Sequence, residues 1–243
     1  VLMVSAGERS TWHALRETFR KRRRGEDAFV YEPVVVGSYE DAVLATIFNY
    51  NVQAVVVLDG FPYASRYAIP SLRELIAPHL PASPLSGGDL GKSLARAVKL
   101  VRPELDVFLV TDHDIAALAG ADDAGGIRRV FYGVEEPMEI HLSIQDGIKD
   151  RYDTPYFDNL KDYAARPIGT FHALPVARGK SIFKSNWIRD MGEFYGANLF
   201  LAESSATTGG LDSLLEPTGN IKVAQDKAAR ALGGDRSFFV TNG

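Results

Sequence analysis

Two Gly-Lys-Ser tripeptides, Gly91-Lys92-Ser93 and Gly179-Lys180-Ser181, invite a phosphate-loop reading. Such a loop needs four residues between its glycines, so that backbone amides can wrap the phosphates. The earlier glycine would fall on Ser86 in one case and on Leu174 in the other. Neither tripeptide follows a clear strand, and nucleotide hydrolysis is set aside. A phosphorylatable receiver would need an Asp after its third strand and a Ser or Thr after its fourth, which Asp59 and Thr111 supply. It would also need an acidic pair after the first strand and a Lys after the fifth. Ser5-Ala6-Gly7 and Tyr132-Gly133-Val134 stand there instead. Without carboxylates for a hard cation and without the lysine, phosphoryl transfer lacks its electrostatic support. Asp59 is therefore read as a turn or cap residue.

The run Arg20-Lys21-Arg22-Arg23-Arg24 is read as the solvated end of a helix, where cations complement the helix dipole. Glu26 and Asp27 follow it at once. None of the five histidines (His13, His79, His113, His141, His172) shares a helix face with another at metal-ligand spacing. His172 is read as a loop residue and Asp112-His113-Asp114 as a surface turn. No Gly-x-Ser-x-Gly elbow supports a serine hydrolase. The chain has no cysteine, which removes disulfides, zinc-thiolate sites and thiol nucleophiles and fits a reducing, cytoplasmic setting. A net charge of −4 over 243 residues carries no nucleic-acid signature. No apolar run reaches membrane-spanning length, and no membrane partner is expected.

The elements that must position these residues follow a simple alternation. Residues 1–4, 29–36, 52–58, 107–111 and 127–132 read as strands. Between them lie helical stretches at 11–24, 39–50, 71–77, 89–101 and 114–119, with a Pro- and Ser-rich loop at 78–88. Residues 52–58 are almost wholly apolar, as expected of a strand covered on both faces. The alternation predicts an α/β domain over residues 1–135, a flavodoxin- or receiver-like parallel sheet with helices on both faces. Two helices opened by Pro137 and Pro155 are expected to form a helical linker over 136–166. Residues 167–243 begin a second, incomplete domain, with irregular stretches at 169–180 and 203–210, a helix at 220–232 and a strand at 237–240. Val1 opens directly in a strand, and Thr241-Asn242-Gly243 follows another. The chain is thus expected to be a piece of a longer protein.

Four segments of the last third are specific: Tyr156-Phe157-Asp158-Asn159-Leu160-Lys161-Asp162-Tyr163, Gly210-Leu211-Asp212-Ser213-Leu214-Leu215-Glu216-Pro217-Thr218-Gly219, Ala224-Gln225 with Ala228-Ala229-Arg230-Ala231, and Asp235-Arg236-Ser237-Phe238-Phe239-Val240-Thr241-Asn242-Gly243. In order and spacing they resemble the start of the major domain of the ornithine/lysine/arginine decarboxylases. The resemblance implies an N-terminal flavodoxin-like wing domain, a linker, and the front of an aspartate-aminotransferase-like domain that uses pyridoxal 5'-phosphate. It implies decarboxylation of a small basic amino acid and a homodimer or larger homo-oligomer. Thr241, Asn242 and Gly243 would form the edge of the phosphate-binding loop, with most cofactor contacts and the Schiff-base lysine further on, so no catalytic residue is expected in this segment. The chain departs from the family at 172–180, where a Pro-Gly-His and glycines are usual, and at Asp212, where glycine is usual. The alternative kept beside this reading is a non-catalytic regulatory or assembly protein with a pseudo-receiver domain.

Overall fold

A computed structural model describes residues 1–67, 69–80, 89–112, 126–133, 137–171, 176–203 and 210–240. The expected helix at 114–119, and most of the loop at 78–88, lie outside them. The chain divides into two compact units, Val1–Tyr152 and Asp153–Gly243.

The first unit is a five-stranded, wholly parallel sheet of β1 (Leu2–Val4), β2 (Val34–Val36), β3 (Ala54–Leu58), β4 (Asp106–Thr111) and β5 (Ile127–Tyr132), in the order β2-β1-β3-β4-β5. Leu2 pairs with both Val34 and Val55, and Ala54 with Asp106. The helices are α1 (Arg9–Arg20), α2 (Tyr39–Phe48), α3 (Pro70–Ile76), α4 (Asp89–Val101) and α5 (Pro137–Tyr152). Side chains alternate between faces along a strand, and two cores result. Leu2, Val4, Val55, Val57, Val107 and Leu109 meet α2 and α4 on one face. Met3, Val56, Phe108 and Phe131 meet Phe19 of α1 and Ile140, Ile144 and Ile148 of α5 on the other. This is the α/β parallel sheet expected from the alternation. Residues 137–152, expected as connector, belong to this unit, because the four-residue spacing of the three isoleucines presents one apolar stripe to the sheet.

β2 is shorter than the expected 29–36. Residues 27–32 are held mainly by side chains, with main-chain bonds only from Asp27 to the Arg24 carbonyl and from the Val1 amino group to the Glu32 carbonyl. Gln145 of α5 clamps Phe29 twice, accepting from its amide at 3.2 Å and donating to its carbonyl at 2.7 Å. His141, wholly buried, bridges the Tyr31 hydroxyl at 2.8 Å and the Asp27 carboxylate at 3.0 Å. The Arg24 amide, chiefly, and His141 hold the Asp27 carboxyl below its ordinary value against the cost of burial. Removing the Tyr31 hydroxyl leaves a buried imidazole nitrogen unbonded. Tyr31→Phe is expected to lower stability by about 1 kcal/mol and to speed amide exchange at Phe29 and Tyr31. Unchanged exchange there would refute the clamp.

The second unit contains α6 (Pro155–Ala165), α7 (Lys180–Lys184), α8 (Arg189–Tyr195), α9 (Ala197–Leu201) and α10 (Asn220–Leu232). The strand expected at 237–240 is irregular backbone. A strand needs a ladder partner, and among the described residues this unit has none. Side chains fix the segment instead: Ser237 Oγ donates to the Gln225 carbonyl at 2.6 Å, and Phe239 packs on Tyr156 with centroids 5.2 Å apart.

Candidate functional site

In an open parallel sheet the default binding crevice lies at the C-terminal ends of the strands where the order reverses, here β1 and β3. The structure closes that place to phosphate chemistry. Ser5 spends its amide on the Val36 carbonyl and its hydroxyl on the Ala6 carbonyl. The Trp12 indole donates to the Ser5 carbonyl at 3.1 Å and covers Gly37 so closely that a Cβ there would lie 2.7 Å from the ring. Asp59 stands in the bend after β3, where its amide donates to the Val110 carbonyl at 3.0 Å. Its carboxylate oxygens are buried without a hydrogen bond, next to Gly91 in the first turn of α4. Thr111 is buried at the end of β4.

Both Gly-Lys-Ser tripeptides are packing features. A Cβ on Gly91 would come within 2.7 Å of Leu109 Cδ1, and Tyr39 Oη donates to the Ser93 carbonyl. Gly179, at φ +85°, lies against Phe200 and Phe183, rings that meet edge to face at 5.9 Å. The basic run is largely neutralised locally. Arg20 pairs with Glu17 and Glu32, Arg23 with Glu32, and Arg24 with Glu26 and Asp27. Among the described residues no group of His, Asp and Glu could hold a metal ion. No described helix is long and apolar enough to cross a membrane. His113, His172 and the expected cofactor-edge residues Thr241, Asn242 and Gly243 lie outside the described residues.

The second unit brings together all four specific segments. Asn159 Nδ2 donates to the Gly210 carbonyl at 2.6 Å, joining the first to the second. Tyr156 meets Phe239, and Ser237 meets Gln225, joining the fourth to the first and third. Two residues organise this cluster. Asp212 accepts five amides, those of Ser213, Thr218, Gly219, Ile221 and Lys222, and so caps α10 from outside the helix. Burial works against its charge, but the amides of Thr218, Gly219, Lys222 and Ser213 outweigh it and hold the carboxyl below its ordinary value. The carboxylate fills the place where an anion would otherwise meet the helix dipole.

Arg178 is 6% exposed and donates all five guanidinium hydrogens to main-chain carbonyls. Nε reaches Leu201 at 3.2 Å, Nη1 reaches Arg166 and Ile168 at 3.0 and 3.1 Å, and Nη2 reaches Tyr163 and Ala164 at 2.9 and 3.2 Å. Its plane also lies 4.6 Å from the Tyr163 ring centroid. Three of those carbonyls close the C-terminal end of α6, where a cation is favoured. The sequence marked 169–180 as irregular but carried no sign of this residue.

The family model "Orn/Lys/Arg decarboxylase, major domain" matches residues 154–243. Over these residues the chain is similar to that family. The lysine decarboxylase LdcA of Pseudomonas aeruginosa is 34% identical over 157 residues, 62% of this chain and 21% of that protein. The constitutive ornithine decarboxylase of Escherichia coli is 27% identical over 160 residues, 65% of this chain and 22% of that protein. The solved lysine decarboxylase A from Pseudomonas aeruginosa overlays all of this chain on 31% of its own, at 21% identity and a TM-score of 0.43. The chain thus spans about a fifth of the length of these curated family members.

Proposed function

We propose that the protein is the front part of a decarboxylase that converts lysine, ornithine or arginine to the amine and CO2. The observation that carries this reading is the convergence of four segments, far apart in sequence, on one cluster within the family-matched region. Residues 1–152 then serve as a wing domain that includes α5, and 153–243 as the opening of the major domain, in place of the expected boundaries at 135 and 166. The unit boundary at Tyr152 and Asp153, and the match from residue 154, favour a break near 153. Phe171 and Trp187 are 99% and 93% exposed, which suits a homo-oligomer in which a second copy covers them. We place it in the cytoplasm, a setting that the lack of cysteine fits.

The cofactor of this reading is pyridoxal 5'-phosphate, which when bound supplies a sink for the electron pair left behind by CO2. The N-terminus of α10 does not fit its phosphate, because Asp212 occupies it. We assign its near edge to Thr241, Asn242 and Gly243, and we give no described lysine a catalytic role. This segment's part is to fix the approach at 237–240, through Ser237 on the Gln225 carbonyl and Phe239 on Tyr156.

The test is purification from the native source, with intact mass, the cofactor absorbance band, and CO2 release from each of the three amino acids. The expected result is a mass well above 26.6 kDa, the band, and preference for one substrate, while the 243-residue chain by itself releases no CO2. A 26.6 kDa species without the band would replace this reading by a non-catalytic regulatory or assembly role. Turnover by the short chain would overturn the assignment of catalysis to other residues.

A further inference from the structure

Beside α2 lie two adjoining cavities of about 380 and 560 Å³ that share Asp41, Leu44, Tyr67 and Leu72. Each falls within the ordinary size of small-molecule pockets. The walls are mainly apolar, from Leu44, Tyr67, Ile69 and Leu72. The polar end is acidic. Asp41 has both oxygens engaged, by the hydroxyls of Ser38 at 2.7 Å and Ser65 at 2.6 Å. Glu40 is 7% exposed and uses one oxygen to accept the Ser65 amide at 2.8 Å. Its other oxygen is buried and has no aligned hydrogen bond. Arg73 Nε lies 2.8 Å from that oxygen, but its side chain is 64% exposed. An arginine so exposed holds a partner weakly.

Two carboxylates and one guanidinium line the smaller cavity, so its formal balance is one negative charge. A buried carboxylate oxygen whose one cationic neighbour is the exposed Arg73 side chain, with no aligned hydrogen bond, favours a further N–H donor that carries positive charge. The exposed Tyr67 ring at the junction of the cavities adds a face for a cation. We propose that the paired cavities form a binding site for a primary alkylammonium or arylalkylammonium ion, its charge held by Glu40 and its apolar body laid along Leu44, Tyr67 and Leu72. The site lies within the first unit and is independent of the decarboxylase reading.

The experiment titrates isotope-labelled 243-residue chain with hexylamine, 1-hexanol and hexanoate, which share an apolar body and differ in charge, and follows amide shifts by NMR. Hexylamine is expected to perturb residues 40–44 and 64–73 and to bind about tenfold or more tighter than hexanol, with hexanoate weakest. Glu40→Gln is expected to reduce hexylamine to the level of hexanol while hexanol binds as before. Arg73→Gln, a change on an exposed side chain, removes the competing cation and is expected to tighten hexylamine several-fold, about what one exposed ion pair is worth. That second variant keeps the proposal testable if Glu40→Gln fails to fold. Equal binding of amine and alcohol, shifts confined to other residues, or an amine preference that survives Glu40→Gln would overturn it.

Discussion

Arg178→Ala is expected to lower the stability of the second unit by about 3–5 kcal/mol, the range for stripping the partner from a buried charged network. The loss is not a contact energy. Alanine leaves five main-chain carbonyls, those of Tyr163, Ala164, Arg166, Ile168 and Leu201, buried or half-buried around an empty site. Lysine keeps the charge but offers three donors instead of a five-pronged planar fork, so Arg178→Lys should recover only a minor part. Backbone strain separates two further variants. Ala177 and Arg178 both hold positive φ, at 45° and 54°. That conformation costs roughly 1 kcal/mol for a residue with a Cβ and nothing for glycine. Arg178→Gly should therefore be less damaging than Arg178→Ala by about 1 kcal/mol. Hydrogen exchange across residues 153–203 is the measurement, since it reads this unit without asking the first to unfold. Protection in Arg178→Ala equal to that of the parent chain would refute the hub.

The pattern of what could be foreseen follows from sequence distance. The parallel sheet was legible because strands buried on both faces are apolar runs, as in 52–58, and because the helices between them carry stripes at 3.6-residue spacing. The segments that bear the family resemblance were legible as strings of residues. Their convergence was not, because Asn159 and Gly210 lie 51 residues apart. Helix α5 was legible as a helix, but not as a layer of the sheet, since periodicity reveals an apolar stripe without revealing what it faces. The expected strand at 237–240 shows the converse. Ser-Phe-Phe-Val has strand propensity, but propensity reports fitness for a pleated surface that must exist elsewhere. His141 escaped notice because its partners Asp27 and Tyr31 stand 114 and 110 residues away. Arg178 and Asp212 look ordinary in sequence because each serves main-chain groups, which every residue carries.

Asp212 is the second place where one side chain governs the unit, and pH separates its charge from its shape. Asp212→Ala is expected to cost about 2 kcal/mol near neutrality, the upper end for losing an N-cap, because five amides lose their acceptor at once. Asp212→Asn keeps an acceptor oxygen and should cost less. The acid side of the curve is the sharper test. A carboxyl whose folded value lies below its unfolded value contributes stability that is complete above the unfolded value, about 3.8 for Asp. That contribution fades as pH falls through the folded value. The parent chain should therefore lose its advantage over Asp212→Ala as pH drops below about 4, while the two stay a constant distance apart between pH 5 and 8. Measured by urea unfolding at each pH, the two stability curves converge on the acid side. Parallel curves down to pH 2.5 would mean that the carboxylate charge does not hold the start of α10. Glycine at this position has no side chain to offer those amides, so Asp212→Gly should follow the alanine variant. If it does, the start of α10 depends on that one carboxylate.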